Sequence, residues 1–215
     1  MSATDWIFAV GCLALFELLV SLIVSIARPE ARLWPSDGSR WTLVWMWGWT
    51  VVATGAGLVL ALLDYGSGPL DGRGWILAGS AALALGAGLA DWGIRILGRR
   101  TSAGLAGRFS TLGPYRWTRN PQYLGDILMT IGVALISDSW RVVALGAGGV
   151  ACLLLAPLAE ERWLVEQYGE PYQRYRRRVA RLLGRPAFRG EAPASGAASE
   201  FACPPPDPSR DSAGP

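Results

Sequence analysis

The sequence predicts an all-α integral membrane protein with about five transmembrane helices and a C-terminal cytoplasmic amphipathic helix. Hydrophobic residues make up 51% of its 215 residues, and the mean hydropathy is positive, at +0.27. This composition is too apolar for an ordinary soluble domain. The apolar residues also gather in separate runs, and a helix of roughly 20 apolar residues crosses a bilayer.

The apolar runs follow one another with polar segments between them. The first run lacks a basic n-region and a small-residue cleavage site, so we interpret it as an anchor and not as a signal peptide. The fourth run is short for a complete crossing, and it could instead be a re-entrant half of a hairpin with the fifth. The predicted spans are residues 6–27, 41–63, 75–97, 123–136 and 142–158.

The character of the chain changes twice after the last span. Residues 160–183 are charged but periodic, with Tyr168, Tyr172 and Tyr175 at helical steps and the arginines mostly elsewhere. This pattern predicts an interfacial amphipathic helix on an anionic inner leaflet. Residues 185–215 are rich in Pro, Ala, Ser and Gly, which predicts a disordered tail. Residues 1–184 are therefore expected to form the membrane domain.

Arginine placement predicts how the chain is oriented. The first, third and final polar segments are rich in arginine, whereas the two alternate turns carry one arginine each. Because cytoplasmic loops carry an excess of basic residues, we expect the N terminus outside and the C terminus in the cytoplasm. The expected location is a bacterial inner membrane.

The composition excludes several kinds of chemistry. The chain contains no histidine, which removes histidine-based general base catalysis and most zinc sites. Its three cysteines form no disulfide or metal framework. We expect no metal and no nucleic-acid partner.

Residues 113–125, with the sequence GPYRWTRNPQYLG, join a polar loop to the fourth span. Pro114 and Pro121 each remove a backbone donor and bias the preceding residue away from helix. Irregular backbone of this kind is tolerated at membrane depth only where protein, water or a ligand satisfies it. The passage is therefore a candidate binding segment.

Three acidic residues lie inside apolar runs, where a charge costs roughly 2.5 to 3.5 kcal/mol on insertion scales. Asp91 has Arg95 one turn further on, so an internal ion pair is the simplest interpretation. Glu17 could be a hydrogen bonder between packed helices. Asp126 lies just inside the cytoplasmic end of its span, where it could border a site or snorkel to the interface.

Gly86 and Gly88 narrow one side of the third span. Small residues let membrane helices approach closely, so helix packing is the favoured interpretation. The functional alternative is that bare backbone lets a flat cofactor come near.

Glu160 and Glu161 follow the last span directly. Adjacent residues on a helix point about 100 degrees apart, so the two acids cannot share one task. One could take an ammonium or a ribose hydroxyl while the other pairs with an arginine of the basic loop. The structural alternative is a solvated acidic turn at a helix end.

Two separated motifs carry a resemblance to a known family. The passages GPYRWTRNPQYLG and AEERWLVEQYGEPYQRYRRRV resemble the C-terminal half of the phospholipid methyltransferase and isoprenylcysteine carboxyl methyltransferase superfamily of integral membrane enzymes. The resemblance covers roughly residues 113–179, and the first three spans match only in being apolar. The family pattern falls on Arg119, Asn120, Pro121, Tyr123, Gly125, Glu160, Glu161, Gly169, Tyr172 and Tyr175.

The resemblance implies that these segments enclose S-adenosyl-L-methionine on the cytoplasmic side and that a lipid or small lipophilic substrate enters from the bilayer. The resemblance favours a cofactor-binding role for Gly86 and Gly88, because the phospholipid branch has a Gly-x-Gly on its third span. Asn120 stands where prenylcysteine-type enzymes have histidine, which argues against prenylcysteine as the substrate. The implied cofactor-binding residues are Gly86, Gly88, Arg119, Asn120, Pro121, Tyr123, Gly125, Glu160, Glu161 and Tyr172.

Methyl transfer from a sulfonium depends mainly on alignment of the reactants and on a site without water. The absence of histidine therefore does not exclude this reaction. Arg119 could grip the cofactor carboxylate, and Glu160 or Glu161 could hold its amino group or ribose. If the acceptor is a protonated amine, a carboxylate must remove a proton, and Glu161 or Asp126 are the candidates. The predicted catalytic set is therefore Arg119, Glu161 and Asp126.

Two other functions stay open at this point. A membrane reductase using NADPH is one, because sterol-reductase-type proteins resemble the same Arg-His/Asn-Pro-x-Tyr element, although the Glu-Glu pair favours methyl transfer. A non-catalytic membrane interaction protein is the other. The acceptor is also open among a phospholipid amine, a thiol, a carboxylate and a quinone-like lipid.

Overall fold

The computed structural model describes residues 2–36, 38–70, 73–105, 107 and 109–183. This part of the chain is helical and contains no strand, only an isolated bridge between Thr118 and Ala180. The predicted all-α fold is thus confirmed. The helices are α1 (Ala3–Ala27), α2 (Arg40–Leu63), α3 (Arg73–Leu97), the one-turn α4 (Arg99–Ser102), α5 (Pro121–Ser137) and α6 (Trp140–Arg178).

Each predicted span lies inside one of these helices, which begin one to three residues earlier than predicted. Helices α1, α2, α3 and α6 are long and apolar enough to cross a membrane, and α5 is a shorter apolar helix. With its 17 residues, α5 is about 25 Å long at 1.5 Å per residue. The protein is an integral membrane protein.

Helix α6 extends from the last predicted span into the predicted interfacial helix over residues 160–183. It continues through Pro157 and is kinked at Gly169, where two helical segments meet and φ is 58°. A positive φ suits glycine, which has no Cβ to clash. The helix ends at Arg178, and residues 179–183 leave the helix as an extended C-terminal segment.

Helices α3 and α5 pack antiparallel through glycines at seven-residue spacing. A Cβ atom at Gly86 would lie 2.5 Å from the Gly125 carbonyl oxygen, and one at Gly79 would lie 2.8 Å from the Gly132 carbonyl oxygen. Such short distances mean that the two backbones touch. Close backbone approach through small residues is a common way for membrane helices to associate.

Helices α1, α2 and α6 form the second packed group. The Trp45 indole on α2 donates to the Ser21 hydroxyl on α1 over 3.1 Å, and a Cβ at Gly11 would contact both Ala56 of α2 and Leu145 of α6. Along these contacts α1 runs antiparallel to α2 and parallel to α6. The buried side chains between them include Leu18, Leu22, Met46, Cys152 and Ala156.

An ion network joins the helices at one end of the molecule. Arg141 donates to Asp5 and to Asp64, each over 2.7 Å, and the Ser139 hydroxyl also donates to Asp64 over 2.5 Å. The hydrogen bond from Ser139 is the largest cause of a lowered pKa at Asp64, and Arg141 lowers it further. The Arg-rich segments, by contrast, meet at the opposite end, as their alternation along the chain predicted.

Candidate functional site

A cavity of about 840 Å³ lies between the helices and extends to the Arg-rich end of the molecule. Its volume falls within the roughly 300 to 1,000 Å³ of typical ligand pockets. Most of its wall is apolar, as at Leu18, Met46, Leu58, Met129 and Leu153. What we call the polar end of the cavity is formed by Trp34, Arg119, Asn120, Tyr123 and Glu160.

Of the two adjacent acids Glu160 and Glu161, Glu160 is the one that faces this cavity. The Trp34 indole donates to its Oε1 atom over 2.8 Å, and the Tyr123 hydroxyl donates to the same atom. An ionised carboxylate has about four acceptor positions, so Glu160 keeps capacity for a further donor. Three distant parts of the chain, the α1–α2 loop, the start of α5 and the middle of α6, position this carboxylate.

Glu161 points away from Glu160 and into a cluster of arginines. Its carboxylate accepts from Arg119 over 2.7 Å and from Arg181, and Arg176 lies 3.7 Å away. Glu161 is not among the described residues that line the cavity, and it borders a small groove instead. The predicted pairing of one acid with an arginine of the loop is seen for Glu161 and Arg119, and the ligand predicted for the other acid stays a prediction.

Arg119 connects the arginine cluster to the cavity. Its side chain is only 9% exposed, yet it lines the cavity. Burial is the largest single influence and opposes its charged form, but hydrogen bonds and charge interactions with Glu161 and Tyr172 together outweigh it, so the pKa of Arg119 is raised. Its buried Nε atom has no hydrogen-bond partner within the described part of the chain. Arg119 is therefore a fixed cation with one free donor.

Residues 179–183, which we call the C-terminal strap, lie across the segment that carries Arg119. The Arg119 amide donates to the Ala180 carbonyl over 2.9 Å, and the Asn120 side-chain amide donates to the Arg181 carbonyl, also over 2.9 Å. The Thr118 hydroxyl reaches the same Arg181 carbonyl over 3.2 Å. The strap thus satisfies the irregular backbone that the two prolines leave.

Aromatic side chains of α6 form a further wall. Phe109 contacts the rings of Tyr172 and Tyr175 at centroid distances of 5.8 and 5.2 Å, and the Tyr175 hydroxyl donates to the Tyr115 carbonyl over 2.7 Å. Tyr172 lines the cavity and lies 3.5 Å from Arg119. The aromatic face of the predicted amphipathic helix therefore packs on the loop and not on lipid.

The two predicted glycines of the third span lie away from the site. The backbone of α5 fills the space beside Gly86, whereas Gly88 is on the exposed face, with open space around it. Neither lines the cavity, so the structure contradicts the prediction that both approach a cofactor and supports packing for Gly86. Gly125 serves the same packing, because its Cβ would lie 2.6 Å from the Gly86 carbonyl oxygen.

Of the remaining residues considered from the sequence, two lie at the cavity and one lies outside it. Pro121, the first residue of α5, lines the cavity, and so does Asp126. Asp91 lies on α3 outside the cavity and pairs with Arg95 over 2.7 Å, as predicted. The sequence interpretation did not assign Trp34 or Arg181 to the site. No local signal links Trp34 to Glu160 across 126 positions.

The polar end of the cavity can bind a ligand group that is cationic or rich in hydrogen-bond donors. The apolar wall around it keeps water away. The half-buried Glu160 carboxylate favours cations and hydroxyl donors, and the Arg119 guanidinium favours an anionic group beside them. No group of three or more potential metal ligands occurs in the described ranges. Fold and site together define a helical membrane protein with an internal ligand cavity at one end.

Comparison with known proteins relates part of the chain to a family. Residues 75–171, which are 97 of the 215 residues, match the model of the phospholipid methyltransferase family. This match agrees with the family that the two motifs predicted. No solved structure matches the chain.

Two curated relatives align with parts of the chain. It is 36% identical to the methanethiol S-methyltransferase of Mycobacterium tuberculosis over 69 residues, which are 32% of this chain and 28% of that protein. It is 27% identical to steroid 5-alpha-reductase DET2 of Solanum lycopersicum over 111 residues, which are 51% of this chain and 43% of that protein. The chain thus matches less than half the length of either relative.

Proposed function

We propose that the protein is an S-adenosyl-L-methionine-dependent methyltransferase that acts at the cytoplasmic face of a bacterial inner membrane on a lipid or small lipophilic acceptor. The observation that carries the proposal is the Glu160 carboxylate, held by Trp34 and Tyr123 at the polar end of an otherwise apolar cavity. This polar end suits a ligand with positive charge and hydroxyl groups. The apolar wall suits a lipophilic co-substrate.

The residues at the polar end fit the charge pattern of the cofactor. The Arg119 guanidinium, which lines the cavity, is suited to its carboxylate, and Glu160 is suited to its ammonium group or a ribose hydroxyl. Asn120, Pro121, Tyr123 and Tyr172 would complete the enclosure. When bound, S-adenosyl-L-methionine supplies a methyl group activated by a sulfonium. The task of the protein is then to align the reactants and exclude water.

Glu161 acts in this proposal as a positioning residue and not as a base. It is held by Arg119 and Arg181 outside the cavity, so it has no path to an acceptor. Its role is to fix the Arg119 guanidinium at the wall of the cavity. The relative named for methanethiol methylation supports methyl transfer as the reaction.

A second candidate is an NADPH-dependent reductase, favoured by the similarity to the steroid reductase over 51% of the chain. NADPH carries several negative phosphate charges, which require unpaired basic side chains. Two arginines, Arg99 and Arg119, line the cavity, but its half-buried acids, Glu160 and Asp126, oppose such a ligand. Charge complementarity therefore favours the methyl donor.

Ligand-dependent stabilisation of the purified full-length protein in detergent tests the proposal. We expect S-adenosylhomocysteine to raise the melting temperature, because saturation at 100 times Kd adds about 2.7 kcal/mol to stability. We also expect labelled methyl groups to pass from the cofactor into a membrane lipid extract. Stabilisation by NADPH alone would favour the reductase, and stabilisation by neither would favour a non-catalytic interaction protein.

Glu160→Gln sharpens this test, because it keeps the shape of the side chain but removes its charge. We expect the affinity for S-adenosylhomocysteine to fall about 10-fold or more, the cost of losing a charge-assisted hydrogen bond. The matched control is Glu170→Gln on the same helix, whose side chain is 59% exposed and pairs only with exposed Arg177. Equal affinities of the two variants would contradict the role of Glu160.

A further inference from the structure

One face of α5 lines the cavity, and its side chains change from polar to apolar along the helix. Tyr123, Asp126, Met129 and Val133 follow one another at steps of three and four, and all of them line the cavity. Tyr123 belongs to the polar end, whereas Met129 and Val133 belong to the apolar part. Asp126 lies between them, about 4.5 Å deeper along the helix axis than Tyr123. It therefore stands where a cofactor site and a lipophilic site would meet.

The carboxyl group of Asp126 differs from the other acids near the cavity. Glu160 accepts from two donors and Glu161 is held by arginines. In the described part of the chain, no hydrogen bond or ion pair engages the Asp126 carboxyl group, although its backbone carbonyl accepts from Thr130. An acid in an apolar helix is costly, and such residues commonly serve function. Asp126 is thus the acid available to a substrate.

We propose that Asp126 takes up a proton from the acceptor, and that the acceptor is a lipophilic amine, thiol or hydroxyl compound and not a carboxylate. This inference rests on the proposed methyl transfer. It narrows the acceptor to molecules whose nucleophilic atom carries a proton. A carboxylate needs no base, and beside Asp126 and Glu160 it would meet like charges in a cavity of low polarity.

The chemical balance of the step is simple. The acceptor's nitrogen, sulfur or oxygen uses a lone pair to form a bond with the methyl group of a sulfonium donor. The methyl–sulfur bond breaks, and its electron pair remains on sulfur, which becomes a neutral thioether. The proton of the acceptor passes to the Asp126 carboxylate, which becomes a neutral acid and later releases the proton to water.

The class of the product tests the proposal on the unaltered protein. The full-length chain in detergent would be incubated with methyl-labelled S-adenosyl-L-methionine and a total lipid extract from bacterial membranes. The products would then be treated with strong base, which releases ester methyl groups as volatile methanol but leaves methylated amines, thioethers and ethers intact. We expect the label to stay base-stable, and base-labile label would overturn the proposal.

Asp126→Asn tests the residue itself. We expect labelled methyl transfer to fall about 100-fold or more, as for loss of a general base, while stabilisation by S-adenosylhomocysteine is retained. The matched control, Asp91→Asn, makes the same change in an apolar helix outside the cavity and should keep the wild-type rate. A wild-type rate in Asp126→Asn would refute its role.

These outcomes separate the two proposals. Base-labile products with intact cofactor binding would leave the methyltransferase proposal standing and remove the inference about the acceptor. Absence of both cofactor binding and label transfer in the wild type would remove both. If Asp126→Asn did not fold, the base treatment of wild-type products would still decide the acceptor class.

Discussion

Glu161 shows how a single carboxylate can hold a site together without facing it. It joins Arg119, which lines the cavity, to Arg181 of the C-terminal strap. Glu161 and Arg119 are 13% and 9% exposed, so each depends on the other for compensation of its buried charge. Removing one partner of such a pair leaves an uncompensated charge, which is more costly than the pair itself is stabilising.

We predict that Glu161→Gln lowers the stability of the protein by about 3 kcal/mol or more, because Arg119 would lose its buried counter-charge. Thermal unfolding in detergent measures this loss. The control is Arg177→Gln, which breaks an ion pair whose side chains are 55% and 59% exposed. We expect at most about 1 kcal/mol there. Similar losses in the two variants would mean that the Glu161 pair is not effectively buried.

Sequence patterns identified the members of this cluster but not their connections. The motif placed Arg119 beside Pro121, and the 100-degree step of a helix separated Glu160 from Glu161 correctly. Trp34 and Arg181 could not be assigned, because their contacts join positions far apart in the chain and depend on how the helices pack. Local patterns report helix faces, whereas the identity of the facing partner is a property of the tertiary fold.

At the scale of elements, the contact between α3 and α5 explains why one glycine of the third span matters and the other does not. Gly86 and Gly88 are two positions apart, so they point to different sides of α3. Gly86 faces α5, and Gly88 faces outward. The spacing alone predicted that small residues would pack, but it could not show which side of the helix carries the neighbour.

We predict opposite effects for alanine at these two positions. Gly86→Ala places a Cβ 2.5 Å from the Gly125 carbonyl oxygen, so the helices must separate, at a cost of about 1 to 3 kcal/mol. Gly88→Ala meets open space and should stabilise α3 by about 0.5 to 1 kcal/mol through helix propensity. Melting temperatures of the two variants check this. A stable Gly86→Ala protein would argue against the tight α3–α5 contact.

The C-terminal strap allows a second prediction at this scale. A chain ending at Arg178 lacks the Ala180 and Arg181 carbonyls that fix Arg119 and Asn120. We expect its affinity for S-adenosylhomocysteine to fall about 10-fold or more, since three hydrogen bonds and one ion pair are lost. A chain ending at Leu183 keeps the strap and should bind like the full-length protein. Equal affinities of the two truncations would contradict a role for the strap.

At the scale of the whole molecule, the two ends of the helix bundle have different tasks. The Arg-rich end holds the polar part of the cavity, and the opposite end holds an ion network that joins α1, α2 and the start of α6. The sequence predicted the five apolar runs and their alternation because hydrophobic length is a local property. The continuity of α6 through Pro157 was not predictable, because it depends on packing around the helix.

The ion network predicts how stability depends on pH. The hydrogen bond from Ser139, with Arg141 beside it, lowers the pKa of Asp64 in the folded protein. A carboxyl group with a lowered folded pKa contributes stability above its unfolded pKa of about 4, and this contribution is lost as the pH falls through the folded value. We therefore expect Asp64→Asn to be less stable than the wild type at pH 7 and the difference to shrink below about pH 4. Thermal unfolding across this range measures it, with Asp91→Asn, an exposed partner of Arg95, as the control. A stability difference that did not change with pH would show that Asp64 acts through its shape and not through its charge.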